Sequence, residues 1–214
     1  MMEIDILYGK TIVALGDSLI YGSKLGNERT WVNKLGAKHC MKVYNYGING
    51  NSIACTNKQD QVPMCVRYAD MHPEADYVVV LGGANDKRLD IPMGSIHSTD
   101  PYTFQGALNQ LINGLVEKYP RAKILFMTNY RRHDNLNNIG LGDIDYVKAM
   151  EEVCHLHSIP CFNNYYNIGI SFYHPAHSAW MDEGMVLEGK PNRHFSDEAY
   201  TWMMDRYEAV LKML

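Results

Sequence analysis

An α/β fold, built on a parallel sheet with helices on both faces, is what this sequence predicts, and three observations carry the prediction. Short apolar runs recur at residues 11–16, 42–46, 77–81 and 123–128, with a weaker one at 159–162, and helical patterns lie between most of them. Val78-Val79-Val80-Leu81 is apolar without alternation, as a strand buried on both sides should be. Three of the runs also stop on glycine-bearing turns.

The first run ends on Gly16-Asp17-Ser18. Asp and Ser both favour helix N-caps, so this pair reads as the cap of the next helix. A serine at the lip of a sheet, with backbone N–H groups freed by the turn, is equally where an acyl-transfer nucleophile would be displayed. The second run leads into Asn45-Tyr46-Gly47-Ile48-Asn49-Gly50-Asn51-Ser52, and the third into Leu81-Gly82-Gly83-Ala84-Asn85-Asp86. Residues 103–119 then put Leu108, Leu111, Ile112, Leu115 and Val116 on one helical face, and Pro120 ends the segment. Another helix is expected over 143–157. The last opens with Ser196 as N-cap and Asp197 and Glu198 in its first turn. Its core-facing stripe is Tyr200, Met203, Met204, Tyr207, Val210, Leu211 and Leu214. Two long irregular stretches remain, 87–102 and 163–193, a length that in a compact domain is commonly functional. The second is rich in aromatic residues, which suit stacking on a sugar ring, holding an acyl chain, or simple loop packing.

At 214 residues the chain suits one domain over 1–214, large enough to bury about 70% of its unfolded surface. A net charge of −4 and a pI near 6.1, with both signs mixed along the chain, leave no basic face of the kind a phosphate backbone demands. Nucleic acid is therefore not an expected partner. No apolar run approaches a membrane span, and no export leader opens the sequence. A cytoplasmic location is the expectation, although a removed leader would leave no trace. Cysteines stand at 40, 55, 65, 154 and 161, an odd number with no C-x-x-C pair, so neither a zinc ribbon nor a full disulfide framework is expected. Reduced core residues fit better, with Cys55 and Cys65 the pair that could bridge on export. No phosphate loop of the Walker or Rossmann type occurs. Nor does Gly-x-Ser-x-Gly, because Ile20 takes the place of its second glycine. His174-Pro175-Ala176-His177 lacks the helical i,i+4 spacing of a zinc protease. No cofactor and no metal are expected, and oligomeric state is not readable.

In a parallel α/β sheet the carboxyl ends of the strands share one edge, so the three glycine turns should converge there. Gly50 would let a backbone N–H approach a substrate oxygen, and Asn85 offers a neutral amide donor suited to a developing oxyanion. Either residue considered alone reads equally as an ordinary turn residue. A serine nucleophile needs a base, and His194 suits best among nine histidines. It stands just before Ser196, at a helix N-terminus whose dipole disfavours the imidazolium.

This ordered set resembles the SGNH hydrolases, also called GDSL esterases and lipases. Their first block is similar to Gly16-Asp17-Ser18, their glycine block to Gly47-Ile48-Asn49-Gly50-Asn51, their GxND block to Gly83-Ala84-Asn85-Asp86, and their last block to the region ending in His194. The resemblance implies a three-layer α/β/α sandwich of flavodoxin-like type with a five-stranded parallel sheet. It also implies Ser18 as nucleophile and His194 as base, with the Ser18 amide, the Gly50 amide and the Asn85 side chain as oxyanion donors. One departure stands out: the family's last block reads Asp-x-x-His, and here Pro191 takes the acid's place. Asp182 is the first choice for that acid, Glu188 the second, and a backbone carbonyl would leave a Ser-His dyad. The expected activity is hydrolysis of short acyl or acetyl esters, with a small molecule or a carbohydrate as alcohol. Long-chain lipids fit less well, since no apolar lid helix is evident. A carbohydrate-binding or scaffold protein that keeps this fold with weak catalysis is the alternative. A flavodoxin-like nucleotide-binding module would share the sheet but explain neither Ser18 nor His194.

Overall fold

Five parallel strands in the order β2-β1-β3-β4-β5 form the frame of a computed structural model, which describes residues 5–131, 135–170, 174–180 and 194–214. The strands are β1 (Thr11–Gly16), β2 (Lys42–Gly47), β3 (Tyr77–Leu81), β4 (Lys123–Met127) and β5 (Cys161–Phe162). Every pairing is parallel, and Gly16 lies level with both Gly47 and Leu81. The three glycine turns therefore leave the sheet at one edge, as a parallel arrangement requires.

Alternation along the strands sorts the core into two layers. On one face Val13, Leu15, Val78, Val80 and Phe126 pack against α5 (Phe104–Lys118) and α6 (Asp143–Leu156). On the other, Ile12, Ala14, Val79, Leu81 and Leu125 pack against α2 (Trp31–Lys38) and α8 (Asp197–Met213). The result is the three-layer α/β/α sandwich. The long helices start as their sequences dictate. Thr103 Oγ1 accepts from Gly106 N at 3.3 Å, and Ser196 Oγ accepts from Ala199 N at 3.1 Å. Asp145 accepts from Gly142 N at 2.7 Å and fixes the start of α6.

Some expectations are corrected. Val116 is 42% exposed. At 100° per residue it sits about 80° round the helix from Leu108, past the flank of the buried stripe. Met204 and Val210 in α8, and Leu214 just past its end, are only partly buried, whereas Tyr200, Met203, Tyr207 and Leu211 are in the core. The weak last strand is two residues long, and β4 stops one residue short of Thr128. Within 163–193, α7 (Asn164–Asn167) and a 3-10 turn at Pro175–Trp180 replace part of the expected irregular chain. Three further short helices, α1 (Ser18–Tyr21), α3 (Met64–Arg67) and α4 (Ala84–Arg88), line the turns. Cys55 and Cys65 are unbridged, their sulfurs 3.8 Å apart. Among the described residues no helix is long and apolar enough to cross a membrane.

Candidate active site

Ser18 is the first residue of α1, directly after β1 ends. Asp17 is the cap, its carboxylate accepting from Leu19 N at 2.9 Å, which leaves the neighbouring Ser18 hydroxyl free of that duty. His194 Nε2 lies 3.0 Å from Ser18 Oγ. Two elements 176 positions apart in sequence thus meet at one hydrogen bond. Gly47 makes room for the first of them: a Cβ there would stand 2.1 Å from Tyr21 N, so α1 rests directly on the backbone of β2.

Around Ser18 the amide donors fall into two groups. Among the described residues, neither the Ser18 N–H nor the Gly50 N–H donates a hydrogen bond. Gly50 has φ +75°, a left-handed conformation that favours glycine. An added Cβ would meet only Arg88 Nη2, at 3.6 Å, so backbone conformation accounts for this glycine and crowding does not. Asn85, in contrast, is fully engaged. Its Nδ2 donates to Asp17 Oδ2 and to the Asn51 carbonyl, each at 3.1 Å, and its Oδ1 accepts from Arg88 Nε at 3.1 Å. An oxyanion would gain a bond from Asn85 by sharing one of two hydrogens already in use.

Two buried charges hold the turns, and neither was anticipated. Asp86 is fully buried and accepts from Ile53 N at 3.0 Å and Ala54 N at 2.9 Å, tying the end of the glycine loop to α4. Burial pushes its carboxyl up, the Ala54 and Ile53 N–H groups oppose this, and the charge of Asp17 adds to the rise, to about 6. Arg67 donates from Nη2 to the Gly16 carbonyl at 2.8 Å, from Nη1 to the Tyr46 carbonyl at 2.7 Å, and from Nε to Asn51 Oδ1 at 2.8 Å. Desolvation lowers this guanidinium to about 10 against the opposing pull of Asp17. It is a clamp across the ends of β1 and β2. The only sequence signal for either was the Asp of Gly83-Ala84-Asn85-Asp86.

Ser18, Gly50, Asn85 and His194 line a cleft of about 480 Å³. Its far wall is a segment that sequence reasoning passed over, Asn135, Leu136, Asn137 and Asn138. Asn137 Nδ2 donates to the Lys87 carbonyl at 3.0 Å, and Asn138 N to Asp90 Oδ1 at 2.9 Å, so this segment is fastened to the end of α4. Lys87 Nζ lies 3.3 Å from Asp143 Oδ2 and donates to Asn135 Oδ1 at 3.2 Å. Apart from Gly50, Ala84 and Leu136, every described lining residue is polar or charged. Among the described residues, no three His, Cys, Asp or Glu side chains are grouped as a metal ion would need. Asp182, Glu188 and Pro191 lie outside the described residues.

No curated protein matches the chain in sequence. One solved crystal structure is 32% identical, with a TM-score of 0.88 over 97% of this chain and 98% of its own. A protein from Lactobacillus plantarum is 26% identical, with a TM-score of 0.83 over 96% and 98%. A carbohydrate acetylesterase family member from Sinorhizobium meliloti shares the fold at 17% identity, TM-score 0.63, over 95% and 98%. The sequence model of the GDSL-like Lipase/Acylhydrolase family matches residues 14–202, which takes in Ser18, the glycine loop, Asn85 and His194. With that match over most of its length, on the fold described above, the chain belongs to the GDSL-like lipase and acylhydrolase family of hydrolases.

Proposed function

We propose that this protein is a serine esterase that cleaves short acyl esters through a covalent acyl-enzyme. The observation that carries this reading is the 3.0 Å contact between Ser18 Oγ and His194 Nε2, beside the uncommitted amides of Ser18 and Gly50. His194 takes the hydroxyl proton as Ser18 Oγ attacks the ester carbonyl. Negative charge then gathers on the carbonyl oxygen, where the Ser18 and Gly50 amides donate to it and Asn85 Nδ2 shares a hydrogen. Collapse expels the alcohol, which His194 protonates, and the same imidazole activates water for deacylation. Asp182 is the proposed acid behind the imidazole.

The substrate class we favour is an acetyl or similarly short ester of a polyhydroxy alcohol such as a sugar. A cleft wall of asparagine amides suits hydroxyl groups, and Leu136 is the one large apolar side chain among its described lining residues, too little to sheathe a long acyl chain. The Sinorhizobium meliloti structure, described as a carbohydrate acetylesterase family member, supports the same choice.

Turnover of p-nitrophenyl acetate by the purified protein tests the assignment. Ser18→Ala should lower kcat on the order of 10³-fold or more. A serine-reactive phosphonate should add its mass at Ser18. Unchanged turnover in Ser18→Ala overturns the esterase reading, and an unlabelled Ser18 favours a carbohydrate-binding protein on the same fold.

A further inference from the structure

We infer that Arg88 is a positioning residue that holds two of the three oxyanion donors in place, an inference that rests on the esterase reading above. Arg88 ends α4 and is exposed at the cleft wall. From there its guanidinium donates Nε to Asn85 Oδ1 at 3.1 Å and Nη2 to the Gly50 carbonyl at 3.2 Å. A planar fork with fixed donor directions can hold both acceptors in one geometry, which an ammonium cannot.

Each acceptor needs such a hold. Asn85 is useful to an oxyanion only while its Nδ2 edge, and not Oδ1, faces Ser18 and Asp17. A donor placed on Oδ1 fixes that sense of the amide. Gly50 has no side chain to anchor its left-handed backbone, and the one atom near where a Cβ would be is Arg88 Nη2 itself, at 3.6 Å. Its carbonyl is the group the protein can grip, and Arg88 grips it. The charges nearby are already matched, Lys87 with Asp143 at 3.3 Å and Asp90 with Lys58 at 3.2 Å. Arg88 has no carboxylate partner among the described residues. Its positive charge is thus left beside the place where negative charge develops, and it acts through Asn85 and Gly50 without touching substrate.

Steady-state kinetics of the full chain on p-nitrophenyl acetate test this. Arg88→Ala should lower kcat roughly 10–100-fold, as loss of ordered oxyanion donors does, and leave KM within about twofold. Added guanidinium ion should restore part of that kcat in Arg88→Ala and none in Ser18→Ala. Arg88→Lys keeps the charge but not the fork, and should remain at least about fivefold down in kcat. It reads the same split should Arg88→Ala fail to fold. Wild-type kcat in both variants overturns the inference, as does a change in KM alone or a kcat loss that guanidinium leaves untouched. A wild type no faster than Ser18→Ala overturns the esterase reading itself. Inactive Ser18→Ala beside fully active Arg88→Ala overturns only the role of Arg88.

Discussion

Asn85 serves two functions whose demands differ, since the nitrogen proposed to meet the oxyanion also restrains Asp17 and the Asn51 carbonyl. Asn85→Ala should therefore lower kcat about 10²–10³-fold, the cost of one oxyanion donor. Asn85→Asp should be worse, because it sets a second carboxylate 3.1 Å from Asp17 Oδ2. Steady-state kinetics on one ester rank the pair. At Asp86 the pH dependence has a definite sign. Its folded value of about 6 lies above the ordinary 3.8. Its contribution to stability is accordingly full below about 3.8 and is lost as pH rises through about 6. Urea unfolding at pH 4 to 7 should show that loss in the wild type and a flatter profile in Asp86→Asn. For the proposed acid, Asp182→Asn should cost at least about tenfold in kcat while Glu188→Gln leaves it near wild type. The meeting of Ser18 with His194 was legible in the sequence because a serine nucleophile would need a base and the two residues stand at or just before helix starts. Arg67, Asp86 and Arg88 were not, since a side chain that bonds backbone carbonyls or amides in another turn has no local spacing to betray it.

Helices of fewer than six residues also left little trace. The strands and the helices α5, α6 and α8 could be found by periodicity, but α1, α3, α4 and α7 are too short to complete a repeat. The cleft wall at residues 135–138 has no period at all and is placed by hydrogen bonds to the end of α4. What α1 lacks in length it gains from contact with Gly47. Gly47→Ala brings a Cβ against Tyr21 N, a backbone atom that can move only with the whole helix. This should cost about 2–3 kcal/mol and shift Ser18 away from His194. Chemical denaturation should report the first effect, and slowed phosphonate labelling of Ser18 the second.

Across the whole molecule, the layer that holds His194 is tied down far from the cleft. Glu208 on α8 accepts from Lys38 and Lys212, each at 2.6 Å, and lies 3.1 Å from His39 Nε2. His39 Nδ1 in turn lies 2.7 Å from Asp5. Burial raises the Glu208 carboxyl, but the bonds from Lys212, Lys38 and His39 outweigh it and hold it at about 2, below the ordinary 4.5. Its stabilisation is thus present above about 4.5 and is lost as pH falls toward about 2. Glu208→Gln should cost about 2 kcal/mol at pH 7, or roughly 4–8 °C in Tm, with the gap closing near pH 2. Thermal melts across that range check it. The sandwich itself was readable because strand burial and helix period are collective patterns that one residue cannot spoil. Long-range ion pairs of this kind have no such redundancy. Arg67 forms no such ion pair among the described residues, yet its hold on the carbonyls of Gly16 and Tyr46 is just as long-range and as little backed up. The spacing of Ser18 from the glycine loop is thus set beneath the surface, by a side chain that takes nothing from the outer loops. On the proposed reading, substitutions at residues 135–138 should change which ester the cleft accepts while leaving Ser18 and Gly50 in register.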